Sequence, residues 1–176
     1  ILDPIKDLKL KKNIGIECIQ DKLAKIKKIN FNLNKAPNLI IARHIWEHFY
    51  RQDRFVKLLK NISDDNTLFY FEIPDCEKSI KNYDYSMIWE EHIHYYSMNT
   101  FISSLENYNF QIVKHGRYNY PYEDVLYAFF KLKNNKNIQI KKLNKDVKNI
   151  LSYGKKFKYI KKNLKDKFKK INHKKK

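Results

Sequence analysis

Glycine, proline and cysteine are all scarce in this sequence, and each scarcity removes a class of protein. Three glycines and four prolines in 176 residues exclude a collagen-like or low-complexity chain. The two cysteines, Cys18 and Cys76, stand far apart and neither belongs to a CxxC pair. Neither a disulfide framework nor a cysteine-based zinc site is indicated, so both thiols are expected reduced and no metal is expected. No apolar run approaches the roughly 20 residues that span a bilayer, and the first residues, ILDPIKDLKL, lack the charged-then-apolar pattern of a secretion signal. A cytoplasmic protein without a transmembrane segment is the expectation. Arginine and acid are both short at one end. From Lys131 to Lys176 there are 19 lysines, no arginine and only Asp146 and Asp166 as acids, a net +17 of the chain's +18. The 130 residues before them are nearly neutral, so any polyanion-binding argument concerns the tail alone. Lysine without arginine argues against specific base reading, and nucleic acid is not the expected partner.

What is present is enough apolar residue, 43% of the chain, for the core of one domain. Asn38 to Ala42 and Thr67 to Ile73 are apolar runs of strand length, the second stopped by Pro74. Between them Ile45, Phe49, Phe55, Val56, Leu58 and Leu59 recur at loosely helical spacing. The result is strand, helix, strand, a right-handed βαβ unit. A short helix over Thr100 to Tyr108, capped by Ser97 or Asn99, precedes two strands, Phe110 to His115 and Val125 to Leu132, at a sheet edge. Upstream, Ile14 to Ile19 reads as a further strand. The domain is expected to span residues 1–133, followed by a lysine-rich helical tail over 134–176. In the tail, apolar residues from Ile140 to Leu151 and from Phe157 to Ile171 recur every three or four positions, which predicts two basic amphipathic helices separated near Gly154. Their apolar stripe packs on the body or a partner, or else meets an anionic membrane or nucleic acid.

The stretch IWEEHIHYYS, Ile88 to Ser97, crowds carboxylates, imidazoles and phenols into ten residues. Trp, Ile and Tyr lose free energy in water, so a half-buried segment is expected rather than a solvated loop. Glu91 and His92 are candidates for chemistry or for a buried hydrogen-bonded pair that fixes the loop. Arg43, His44, Glu47 and His48 pose the same choice. Glu47 near a helix start suits a capping role, and His44 suits a pocket.

Three segments in order, PNLIIARHIWEHF (Pro37 to Phe49), FYFEIPD (Phe69 to Asp75) and IWEEHIHYYS, resemble the consecutive motifs of class I S-adenosylmethionine-dependent methyltransferases, and among these the sugar C-methyltransferase-like group. The resemblance runs from about Leu2 to Lys133. It implies an α/β fold: a partial Rossmann-like class I methyltransferase sheet with helices on both faces, followed by the basic helical tail. It implies S-adenosylmethionine as cofactor and a small sugar-type acceptor, a nucleotide sugar, methylated at carbon or oxygen. By the same resemblance Asp3, Ala42, Arg43 and His44 are cofactor-binding residues. Asp3 could equally be a helix N-cap before Pro4. His92 would be the base, Glu91 would bind a substrate hydroxyl or orient the loop, and Tyr95 would donate to a developing oxyanion. The sequence departs from the family at Trp89, where Tyr is common, at His94 and Tyr96, and in having no glycine-rich turn after a first strand. It therefore reads as a carboxyl-terminal piece of the fold, and a catalytically inactive remnant or a polyanion-binding protein acting through its tail are the competing expectations.

Overall fold

The computed structural model describes residues 35–88, 91–119, 123–133 and 144–173. Asp3, Cys18, Trp89 and the strand expected over Ile14 to Ile19 lie outside the described residues. The described elements are β1 (Leu39–Arg43), a single 3₁₀ turn (Trp46–His48), α1 (Gln52–Ile62), β2 (Leu68–Pro74), α2 (Glu77–Asn82), α3 (Met98–Asn107), β3 (Phe110–Asn119), β4 (Asp124–Leu132) and α4 (Asn144–His173). Both strands of the expected βαβ unit appear, each shifted by one residue, and they pair in parallel. Its connection is not one helix. Phe49 is extended (φ −85°, ψ 115°), which separates the 3₁₀ turn from α1. The six-residue α2 carries too few apolar positions to show a period in the sequence.

The sheet order is β1-β2-β4-β3, with β4 antiparallel to both of its neighbours. In β2 and β4 alternate side chains share a face, and the register sets Phe69 opposite Phe130, Phe71 opposite Ala128 and Ile73 opposite Leu126. These six residues are fully buried. Phe69 and Phe130 stack at 5.3 Å, and Phe71 meets Phe130 edge-on at 4.8 Å. Trp46 from the 3₁₀ turn, Phe55 from α1, and Phe101 and Leu105 from α3 complete this aromatic core. Each such side chain contributes about 1.5–3 kcal/mol on burial, so the core face of β2 fixes the register of the whole sheet. The other face carries Tyr70, Tyr127 and Phe129, half-buried, and the more exposed Ile41. At Gly116 a Cβ would lie 2.5 Å from the Tyr127 hydroxyl, so only glycine leaves room for that ring.

The cap of α3 is Ser97. Its Oγ accepts from the Thr100 N–H at 3.2 Å, and the Ser97 N–H donates to Thr100 Oγ1 at 2.8 Å, a reciprocal box that closes the helix start.

The tail departs from expectation. α4 runs unbroken through Gly154 for 30 residues instead of splitting into two helices. Glycine disfavours a helix by only about 1 kcal/mol, and the flanking residues on both sides are helical formers that outweigh it. Nor is the apolar stripe covered: Ile150, Leu151, Leu164 and Phe168 are each at least half exposed. The first half of the helix is nonetheless anchored, chiefly through one tyrosine. Tyr153 is buried, its hydroxyl donates to the Asp84 carbonyl at 2.8 Å, and the Tyr85 hydroxyl donates back to the Tyr153 carbonyl at 2.8 Å. The two rings lie 4.3 Å apart. Asp146, near the start of α4, accepts from Ser97 Oγ at 2.8 Å.

Two outcomes follow for α4. Gly154 has nothing within 4 Å of a built Cβ, so Gly154→Ala should raise helix stability by about 0.5–1 kcal/mol in thermal melts followed by circular dichroism; a loss would mean that the glycine is needed for a bend. Tyr153→Ala should cost the docked helix about 2–4 kcal/mol, seen as faster amide exchange over its first half with the sheet unaffected.

Candidate functional site

In a sheet of this kind the loops that follow parallel strands gather at their carboxyl ends. Here His44 follows β1, Glu123 precedes the antiparallel β4, and the segment between α2 and α3 passes over the same edge. A cavity of about 420 Å³ opens there, lined by His44, His48, Ser86, Met87, Glu91, His92 and Glu123. His44 sits in the left-handed region at φ 50°, an arrangement that costs a non-glycine residue free energy and turns the chain sharply off the strand into the 3₁₀ turn. Its N–H is satisfied by the Glu72 carbonyl at 2.9 Å.

The loop that carries the third motif is fastened to the 3₁₀ turn. The N–H groups of Ile93 and His94 both donate to the Glu47 carbonyl at 3.0 Å, His48 Nδ1–H donates to the Glu91 carbonyl at 2.7 Å, and His94 Nε2 lies 3.0 Å from the Phe49 carbonyl. At the loop's far end Tyr96 forms a bridge with Asp75, and the Cys76 N–H donates to its carbonyl at 2.9 Å. Burial pushes the Tyr96 phenol and the Cys76 thiol each up to about 12, so neither ionises near neutral pH. The expectation of a half-buried segment holds for His92, Ile93 and His94, which are half-buried, and for Tyr96 and Ser97, which are buried, whereas Ile88, Glu91 and Tyr95 are exposed.

Glu47 corrects the capping expectation. It lies in the middle of the 3₁₀ turn, 1% exposed, and caps nothing; neither carboxylate oxygen accepts a hydrogen bond among the described residues. Its nearest polar neighbours are His44 Nδ1 at 3.6 Å and His48 Nε2 at 3.8 Å. The contact with Glu47 raises the His44 pKa above the ordinary imidazole value, while burial lowers that of His92. Burial also raises the Glu123 carboxyl.

The expected site residues divide. His44, Glu91 and His92 share the cavity. Tyr95 is not among its lining residues; it is 37% exposed, with its ring centroid 6.0 Å from that of His92. Ala42 is buried in the core, and Arg43 is ion-paired to Glu72, which Tyr70 also reaches. Although burial pushes the Glu72 carboxyl up, hydrogen bonds from Tyr70 and Arg43 hold it below the usual carboxylate range. Asp75 is likewise spent on structure: Arg117 Nε stands 2.5 Å from Oδ2, and the Glu77 N–H donates to Oδ1 at 2.9 Å. Ser86, Met87 and Glu123 reach the cavity from loops whose sequence gives no such signal, and His48 is signalled only by its place beside Glu47.

The described residues contain no helix long and apolar enough to cross a membrane. Comparison with curated proteins gives no match. Two solved structures are similar in chain course. One is an S-adenosylmethionine-dependent methyltransferase from Clostridium acetobutylicum ATCC 824, 12% identical, TM-score 0.48, covering 74% of this chain and 68% of that one. The other is the plantazolicin methyltransferase BpumL in complex with a pentazolic desmethylPZN analog and SAH, 15% identical, TM-score 0.47, covering 72% of this chain and 62% of that one. A family model described as a methyltransferase domain matches residues 3–115, more than half of the sequence and all three motif segments. The chain therefore belongs to the methyltransferase-domain family.

Proposed function

We propose that this protein transfers a methyl group from S-adenosylmethionine to a carbon or oxygen atom of a small, polyhydroxylated acceptor of sugar type, in the cytoplasm. The observation that carries the reading is the cavity at the strand ends, where residues from the first and third motifs, His44, His48, Glu91 and His92, meet around about 420 Å³. A space of that size suits a small molecule with several polar groups. S-adenosylmethionine, when bound, supplies an electrophilic methyl group on a cationic sulfonium. The donor chemistry fits a cation: Glu91 and Glu123 line the wall and Glu47 lies beneath His44. Asp3, Ala42, Arg43 and His44 are the residues proposed to hold the cofactor, Ala42 through its backbone and Asp3 through the ribose hydroxyls.

The remaining work falls to the chain itself. An acceptor carbon beside a keto group, or a hydroxyl, has to give up a proton as the new bond to the methyl group forms. The imidazoles of His92 and His44 are placed to take it. Glu91 accepts a hydrogen bond from an acceptor hydroxyl, and Tyr95, whose ring centroid lies 6.0 Å from that of His92, is the proposed donor to a developing oxyanion. The place after β1 reads ARHI, not the N/D-P-P-Y/F of many amino-methylating enzymes, which supports a carbon or oxygen acceptor.

The test is methyl transfer from labelled donor to a panel of keto- and hydroxyl-bearing nucleotide sugars. His92→Ala should lower turnover by about 10²–10⁴-fold, and Glu91→Gln by less. A folded His92→Ala protein with unchanged turnover would return the Glu91–His92 pair to a purely structural role.

A further inference from the structure

Glu47 is the residue that the methyl-transfer reading leaves unexplained. Burying a carboxylate without hydrogen bonds costs several kcal/mol unless a cation compensates it. This one is 1% exposed, its two oxygens accept no hydrogen bond among the described residues, and the imidazoles of His44 and His48 stand outside hydrogen-bond reach at 3.6 and 3.8 Å. What surrounds it is a set of metal-type donors. One carboxylate oxygen of Glu47 and one ring nitrogen each of His48 and His92 lie within 4.8 Å of one another.

The orientation of His48 is the second sign. Its Nδ1 stands 2.7 Å from the Glu91 carbonyl oxygen. A carbonyl only accepts, so Nδ1 carries the proton and the lone pair of the neutral ring is on Nε2, the nitrogen that faces Glu47 at 3.8 Å. Fixing one imidazole nitrogen by donation to a backbone carbonyl, with the other aimed at a common point, is how metal-ligating histidines are held. The His92 ring meets His48 edge-on with centroids 4.8 Å apart, and its loop is tied to the Glu47 carbonyl by Ile93 and His94.

We propose that Glu47, His48 and His92 form a binding site for a divalent transition-metal ion. Two imidazole nitrogens and one carboxylate suit zinc, cobalt, manganese or ferrous iron better than calcium or magnesium, and three protein ligands leave an ion open positions. Ligands of one tetrahedral ion, each at about 2.0–2.1 Å, stand about 3.4 Å apart, so the three groups draw together by up to about 1.4 Å from the 4.8 Å that bounds them here. His48 and His92 both line the cavity, so the open positions face it, and the acceptor class narrows to molecules that offer a hydroxyl or keto oxygen as a further ligand. His92 then holds the ion, and His44 is the imidazole left to take the acceptor's proton. The role of the site rests on the methyl-transfer reading; its existence rests on the geometry.

The full chain, stripped with chelator, should bind one equivalent of Zn²⁺ in calorimetry at micromolar Kd or tighter, and Co²⁺ should give visible absorption bands of a low-coordinate nitrogen and oxygen site. His48→Ala and His92→Ala, each checked for native circular dichroism, should weaken binding at least tenfold. Glu47→Gln should do the same, and if it fails to fold the two histidine variants decide. A natively folded protein with no stoichiometric binding, or binding that survives both histidine variants, overturns the site. Methyl transfer on the same preparation separates the two readings. Turnover that persists in chelator with no metal bound overturns the role of the ion in methyl transfer, and the calorimetry decides the site itself. Metal binding with no transfer to any acceptor overturns the methyltransferase reading and leaves the site standing.

Discussion

The backbone carbonyl of Glu47 is the constraint on which the site depends. It accepts from Ile93 and His94 together, so one peptide group in a 3₁₀ turn positions the loop that brings Glu91 and His92 to the cavity. The turn is in turn set by the core. Trp46 beside it is 1% exposed, packs against Phe55 and Phe71, and donates from Nε1 to Ser104 Oγ at 3.2 Å. A rigid aromatic core therefore extends without a break to the residues that face the cavity. A site built on such support is held more closely than one carried by a free loop.

The fold was legible where apolar residues run together or recur at one spacing. The apolar runs at Leu68–Pro74 and Asp124–Leu132 are strands of the core, and the three- and four-residue spacing in Met98–Asn107 is a helix with Phe101 and Leu105 buried. Ser97 and Thr100 supply the cap by side-chain chemistry that can be read directly. The order of motifs carried the rest, because a strand end followed by polar residues marks where an α/β sheet binds ligands.

The site was legible only in part, for physical reasons. Glu47 looked like a cap because acids favour helix starts, but the chain after β1 turns through His44 at positive φ into a turn too short to have a start of that kind. Its burial follows from Trp46 and the loop closing over it, contacts made across 45 residues or more that no local pattern records. Arg43 ends the strand, and its neighbour in register is Glu72, whose carboxylate pairs with its guanidinium, a partner 29 residues away that the local sequence does not announce. Gly154 misled in the opposite direction: glycine ends a helix only when the residues beyond it gain by leaving, and here they do not.

The tail bears on the same loop from both sides. Every motif precedes Lys133, which makes α4 look like an appendage. Its contacts place Tyr153 against Tyr85, two residues before the cavity-lining Met87, and Asp146 against Ser97, the residue that ends the third motif. Tyr83 adds a hydroxyl contact to Ser152 Oγ at 3.1 Å. The described residues on either side are thus held near Tyr85 and Ser97 by one helix, and Ile93 and His94 are held by the Glu47 carbonyl. His92 is presented to the cavity from a backbone fixed by two separate elements, and that support, more than any single hydrogen bond, places its imidazole there.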